Sequence, residues 1–142
     1  MNRDAIFAAV FAMASGAPGL NRAERLLKEP HQYEIGDLPV LNFHHGNERP
    51  KQLQGGGPVF WKFNPELYLY LLGGDDQADT ALCNMLDYLA ACFAPPAPGV
   101  VKQTLGGLVS EAYLDGEVIT GSVEGVSSRI VAIFPLTVIL AA

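Results

Sequence analysis

Two adjacent carboxylates, Asp75 and Asp76, are the residues of this sequence whose type and spacing first suggest chemistry. They follow Gly73 and Gly74, directly after the apolar run ELYLYLL, which is typical of a strand. Several nucleotide-processing enzymes hold two metal ions on neighbouring carboxylates at the end of a strand. The same residues would also begin a helix, because an aspartate before the first turn accepts hydrogen bonds from backbone N–H groups.

The surrounding residues favour the start of a helix. Asp79 lies near the position from which an acidic side chain completes a capping box, and the glycines supply a turn. A two-metal site needs further carboxylates, but Glu111, Asp115 and Glu117 belong to a separate predicted strand. We therefore predict that Asp76 caps a helix. A metal-dependent nucleotide enzyme built on Asp75 and Asp76 remains the alternative from another functional class.

Histidines and serines indicate no second reaction centre. His44 and His45 are adjacent in a predicted strand, so their side chains should point to opposite faces and cannot both reach one ion. The serines lack the pattern of a nucleophile elbow, and the glycine-rich stretches lack the Lys-Ser/Thr of a phosphate-binding loop. The sequence therefore predicts no catalytic residue, no metal ligand and no cofactor.

Composition describes one acidic globular domain spanning residues 1–142. The apolar fraction is 49%, and the formal charge of −6 argues against a protein that grips a phosphate backbone. Cys83 and Cys92 lie in one predicted helix, nine positions apart, which is roughly 13 Å of rise and too far for a disulfide. No stretch reaches the roughly 18 apolar residues of a membrane span.

Helical spacing of apolar residues appears in two segments. The first is Ala5–Ala14, which also has the apolar character of a secretory signal. Because Asp4 offsets the charge of Arg3, we interpret it instead as a retained core helix. The second begins at Asp76 and stops before two consecutive prolines.

Four segments are predicted to be strands: Leu38–Gly46, Val59–Leu72, Leu108–Thr120 and Ser128–Leu140. Pro65 cannot donate to a ladder, so its strand should be bulged or lie at an edge there. Asp115 and Gly116 indicate a hairpin turn or a bulge. The glycine-rich stretch Asn47–Pro58 is predicted to be a mobile surface loop. Residues 17–37 have no clear assignment, although Asn21–Glu29 has helical propensity.

The last predicted strand is apolar on both faces. Two helices can cover one face of a sheet of four to five strands, so the other face needs a different cover, and a neighbouring subunit is the economical one. We therefore predict an α+β fold with a mixed or antiparallel sheet, two helices on one face, and assembly as a ring. Candidate subunit or tube contacts come from this strand and the polar loop: Arg49, Lys51, Gln52, Ile130, Val131, Ile133, Val138 and Leu140.

The order of these segments resembles a known family. An apolar N-terminal helix is followed by LPVLNFHHG, PVFWKFNPELYLYL, the helix TALCNMLDYLAACFAP, and then KQTLGGLVSEAYLDGEV and AIFPLTVIL. In this order and spacing the chain is similar to the tail terminator, or tail completion, proteins of long-tailed bacteriophages. The likeness covers nearly the whole chain, and GLNRAERLLKEPHQYEIG is its least typical part.

The resemblance implies a structural role. Such proteins form a homohexameric ring that caps the tail tube, ends its polymerisation and offers a docking surface to the head–tail connector. The expected location is the tail or neck of a virion assembled in the host cytoplasm, away from membranes. Genomic DNA would pass through an acidic bore without specific binding. Another ring-forming neck or tail-tube protein is the closest alternative.

Overall fold

Six strands form one mixed sheet in the computed structural model, which describes residues 1–52, 55, 59–74, 76–122 and 129–141. The strands are β1 (Arg22–Glu24), β2 (Val40–Gln52), β3 (Val59–Leu72), β4 (Glu111–Leu114), β5 (Ile119–Ser122) and β6 (Arg129–Ala141). Their order is β1-β2-β3-β6-β4, with β5 also paired to β6. Only β1 and β2 are parallel among these pairs. The α+β class is confirmed, with six strands where four to five were predicted.

Two helices, α1 (Arg3–Ala14) and α2 (Asp76–Cys92), pack on one face of this sheet. The side chain of Asn2 caps α1 by accepting a hydrogen bond from the backbone N–H of Ala5 at 3.1 Å. The apolar side chains of both helices enter the same core as the sheet. The predicted helix at residues 5–14 and the predicted packing on one face are therefore confirmed.

The core is built from rows of apolar side chains that cross the sheet. One row contains Leu41, Leu69 and Ala132, and all three are fully buried. Because side chains alternate between the two faces of a strand, the intervening residues of β2, β3 and β6 belong to the opposite face. We call the side that carries the helices the helix face and the opposite side the open face.

A bulge lies between two regularly paired halves of the β2–β3 ribbon. The register shifts between His44 and Asn47, so β2 has one extra residue opposite Pro65. Gly46 adopts φ 66, and a Cβ there would lie 1.9 Å from the carbonyl oxygen of Asn64. Glycine is required at this close approach. The bulge predicted at Pro65 is confirmed, whereas the edge position is wrong because β3 lies between β2 and β6.

Strand β2 continues beyond the bulge to Gln52, so the loop predicted over Asn47–Pro58 is wrong for its first half. Those polar residues have the composition of a loop, but each of them lies opposite a residue of β3 in the antiparallel pair. Residues 53, 54 and 56–58 lie outside the described part of the chain. The short strand β1 likewise forms where Asn21–Glu29 has helical propensity, because β2 provides a neighbouring edge.

Strands β4 and β5 lie one after the other along the same edge of β6. Leu114 pairs with Leu136 and Ile119 pairs with Ile133, so four residues of one segment face two of the other. Asp115 and Gly116 therefore mark a bulge-like interruption, and the hairpin alternative is wrong.

Candidate functional site

Asp76 is the first helical residue of α2, not the residue before it. The residue before it, Asp75, lies outside the described residues, and the prediction that Asp76 caps the helix stays a prediction. Asp76 and Asp79 lie in the first turn, where their charge stabilises the helix through its dipole. Among the described residues, no three His, Cys, Asp or Glu side chains lie close enough together to hold a metal ion.

The two adjacent histidines point away from each other, as predicted. His44 Nδ1 lies 3.5 Å from a carboxylate oxygen of Glu66, whereas the His45 ring stacks on Phe7 of α1 with ring centroids 4.4 Å apart. The two cysteines are free thiols, with Cys83 exposed on α2 and Cys92 half-buried.

Part of the open face is covered by the chain itself. The hydroxyl of Tyr33 donates to Glu24 Oε2 at 2.8 Å and accepts from Asn42 Nδ2 at 2.7 Å. The hydroxyl of Tyr70 donates to the carbonyl oxygen of Lys28 at 2.7 Å. Buried Arg129 donates to the carbonyl oxygen of Pro30. Residues 25–38 therefore close one end of the open face, and a neighbouring subunit is not needed as a cover there.

The pKa values of three side chains at this covered end are shifted from their ordinary values. Burial raises the pKa of Tyr33 above its ordinary value, and the hydrogen bond to Glu24 raises it further against the opposing effect of Asn42. Burial is also the main cause of the raised pKa of Tyr70, with the charge of Glu29 adding to it. Burial acts to raise the pKa of Glu24, but hydrogen bonds from Tyr33 and Lys28 outweigh it and lower that pKa.

The other end of the open face carries three cations around two apolar side chains, and we call these five residues the basic face. The cations are Arg49 and Lys51 on β2 and Lys62 on β3, and the apolar residues are Phe60 on β3 and Ile139 on β6. These residues, with Trp61, line an open cavity of about 480 Å³. Arg49 lies directly opposite Lys62, Lys51 lies opposite Phe60, and Lys62 lies opposite Ile139.

The cations of the basic face have no ion-pair partner among the described residues. Four other basic residues do form ion pairs with carboxylates, at Arg3, Arg22, Arg25 and Lys28. In contrast, Arg49 and Lys62 form a like-charge pair directly across two strands, which is an unfavourable arrangement in an isolated sheet. An anionic surface placed against them would relieve that repulsion. The arrangement is therefore suited to binding an acidic partner, with Phe60 and Ile139 as an apolar floor.

The predicted interface residues do not form one surface. Arg49 and Lys51 are exposed on the basic face, and only the backbone of Gln52 is described. Val131 and Ile133 are half-buried on the open face, whereas Ile130 and Leu140 pack against the core beneath the helices. Val138 is fully buried, so its prediction as a contact residue is wrong. Alternation along β6 turns it toward the helices.

Phe60, Lys62 and Ile139 are members of the basic face that were not predicted. Their signal is the alternation in VFWKF, which separates Phe60 and Lys62 from Trp61 and Phe63. That signal becomes useful only if β2 continues to Gln52 and brings Arg49 and Lys51 beside them. Interpreting Asn47–Pro58 as a loop concealed the pairing.

No helix in the described part of the chain is long and apolar enough to cross a membrane. No protein-family model and no curated protein matches this sequence. Among solved structures, the fold is similar to that of a chain from the "Virion of native gene transfer agent (GTA) particle". The TM-score is 0.56 at 10% sequence identity, and the match covers 96% of this chain and 95% of the other. This chain therefore shares its fold, over nearly its full length, with a chain of a gene transfer agent virion.

Proposed function

We propose that this chain is a structural virion protein that caps a phage-type tail tube as a hexameric ring. The observation that carries this proposal is the shared fold with a gene transfer agent virion component, which extends over 96% of this chain and 95% of the other. The order of the sequence segments, which resembles tail terminator proteins, supports the position at the end of the tube. In this role the ring stops tube polymerisation and presents a surface to the head–tail connector.

The described residues fit a role in binding other proteins. Three of their cations without an ion-pair partner, Arg49, Lys51 and Lys62, lie together on an open sheet face, and the cavity among them is open rather than enclosed. A sheet face with charge around an apolar floor suits contact with another folded surface. The net charge of −6 for each copy suits a ring through which DNA passes without being held.

Deleting the gene for this chain from the genome that encodes the particle tests this proposal. Without a cap the tube protein should continue to polymerise, so electron microscopy should show tubes longer than the native tail and heads without tails. Supplying the intact chain from a plasmid should restore tails of native length. Tails of normal length joined to heads in the deletion strain would contradict the proposed function.

A further inference from the structure

We propose that the basic face of one copy binds the exposed side of helix α2 of the next copy, in a head-to-tail contact. This inference rests on the proposed assembly of copies and names the two surfaces that meet. The basic face supplies Arg49, Lys51 and Lys62 around Phe60 and Ile139. Helix α2 supplies the complementary charge.

The exposed side of α2 is acidic and has no cation. Asp76, Asp79 and Asp87 are exposed, and Cys83 lies exposed between the last two. Their spacings of three, four and four residues place them in one stripe along the helix. The sequence of α2 contains no Lys or Arg, so no residue of the helix itself neutralises this stripe.

The two surfaces lie on opposite sides of the subunit. The buried side of α2 packs on the helix face, where Leu82, Met85 and Leu89 join the core. The basic face belongs to the open face, because Lys62 precedes the buried Phe63 in β3. Complementary surfaces on opposite sides of a subunit make a heterologous contact, which generates a ring when the rotation between copies closes.

The dimensions of the two surfaces agree. Asp79 and Asp87 are separated by roughly 12 Å along the helix axis. Arg49 and Lys51 are two residues apart on β2, roughly 7 Å, with Lys62 beside Arg49 on the next strand. The long side chains of these cations can reach both carboxylates while their stems cover the apolar floor.

Pairing through the β2 edge of the sheet is a poorer route to assembly. Strand β1 pairs only with Val40–Asn42, so no described strand lies beside the rest of β2 on that edge. This edge contains the bulge at Gly46, then Pro50 and Lys51. Bulges, prolines and lysines are the features by which edge strands avoid pairing. Contact through the faces is therefore favoured.

Charge reversal tests the contact directly. A basic-face variant carries Arg49→Glu and Lys62→Glu, and a helix variant carries Asp79→Lys and Asp87→Lys. Each variant opposes like charges across the contact, which should raise the dissociation constant for self-association by roughly 100-fold or more. A control protein with Lys102→Glu and Glu117→Lys changes exposed charges elsewhere and should assemble like the wild type.

Mixing the two variants is the decisive arm of the experiment. In a 1:1 mixture each reversed basic face meets a reversed helix, and each native helix meets a native basic face. An alternating ring with an even number of copies should therefore form, and sedimentation velocity should recover the wild-type species. Cys83 should react slowly with a maleimide in the wild-type assembly and in the mixture, but quickly in either variant alone.

Three results would overturn the contact: wild-type assembly by both variants, failure of the mixture to assemble, or a wild-type chain that stays monomeric at low salt. Binding of a 20-base-pair DNA duplex by the wild type, lost in the basic-face variant and kept in the helix variant, would assign the basic face to phosphates and also overturn the contact.

The gene-deletion experiment is independent of this contact. Overlong tails in the deletion strain, together with unaffected assembly of both variants, would reject this contact and keep the proposed function. Tails of normal length, together with recovery of assembly in the mixture, would reject the proposed function and keep this contact.

Discussion

Tyr33 shows how a single buried hydroxyl fastens an irregular segment to the sheet. It is 2% exposed, and its oxygen bridges Glu24 and Asn42 at 2.8 and 2.7 Å. Asn42 in turn accepts from the backbone N–H of Lys28 at 2.8 Å. These contacts join strands β1 and β2 to a segment whose regular structure is limited to two 3-10 turns, Pro30–Gln32 and Ile35–Asp37. A hydropathy pattern does not reveal such a polar network, and residues 17–37 therefore received no assignment from sequence.

Replacing Tyr33 with Phe should destabilise the protein by about 1–3 kcal/mol, because the amide of buried Asn42 loses its partner. Chemical denaturation in urea measures this change. Tyr113→Phe is the matched control, since its half-buried hydroxyl has no hydrogen-bond partner among the described residues and should lose little. Equal stability of the Tyr33→Phe and Tyr113→Phe proteins would show that the hydrogen bonds of Tyr33 do not stabilise the fold.

Alkaline pH should destabilise the fold through the same cluster. Tyr33, Tyr68 and Tyr70 have raised pKa values, chiefly through burial. In the unfolded chain these hydroxyls lose their protons near the ordinary tyrosine pKa of 10.0, whereas the folded chain still holds them at that pH. The stability that they contribute is complete below pH 10 and falls as pH rises from there toward their folded pKa values. Urea midpoints at pH 9, 10 and 11 measure the slope, and Tyr70→Phe should make it shallower. A slope unchanged by that substitution would contradict this assignment.

At the scale of elements, long segments with a clear period are predictable and short or polar ones are not. Val59–Leu72 and both helices have the periodicity that specifies their burial, and their predicted positions are confirmed. The second half of β2 is polar, and its strand conformation comes from pairing with β3, which no local pattern in β2 reveals. The basic face depends on that pairing, so its full membership could not be predicted from the sequence.

Gly46 is the residue on which the bulge between the two halves of β2 depends. Gly46→Ala should cost at least about 2 kcal/mol, because alanine meets both an unfavourable positive φ and the backbone oxygen of Asn64. Gly36→Ala is the control, since a Cβ at that position meets no atom within 4 Å. Thermal unfolding compares the two proteins. A melting temperature equally unaffected by both substitutions would contradict the described bulge geometry.

At the scale of the whole molecule, charge is unevenly distributed in a way that suits assembly. Each copy has a formal charge of −6, yet three unpaired cations lie together on the open face. If α2 of a neighbour covers those cations, the ring presents mostly acidic residues to solvent and to its bore.

The assembled protein should therefore hold DNA weakly. Fluorescence anisotropy with a labelled duplex at low salt should show little retention, because covered cations cannot release counterions from the phosphate backbone. The basic-face variant is the control and should bind no more tightly than the wild type. Tight binding by the wild-type assembly, with a steep dependence on salt concentration, would contradict an acidic bore.

The mass of the purified assembly tests the central proposal, a closed ring of six copies, most directly. The chain has a mass of 15.2 kDa, so a hexamer has a mass of about 91 kDa. Native mass spectrometry at low salt, with negative-stain images of the same sample, should show that species as a ring with a central opening. A monomer, or a dimer closed on itself, at every concentration and in the presence of tail tube would contradict the account.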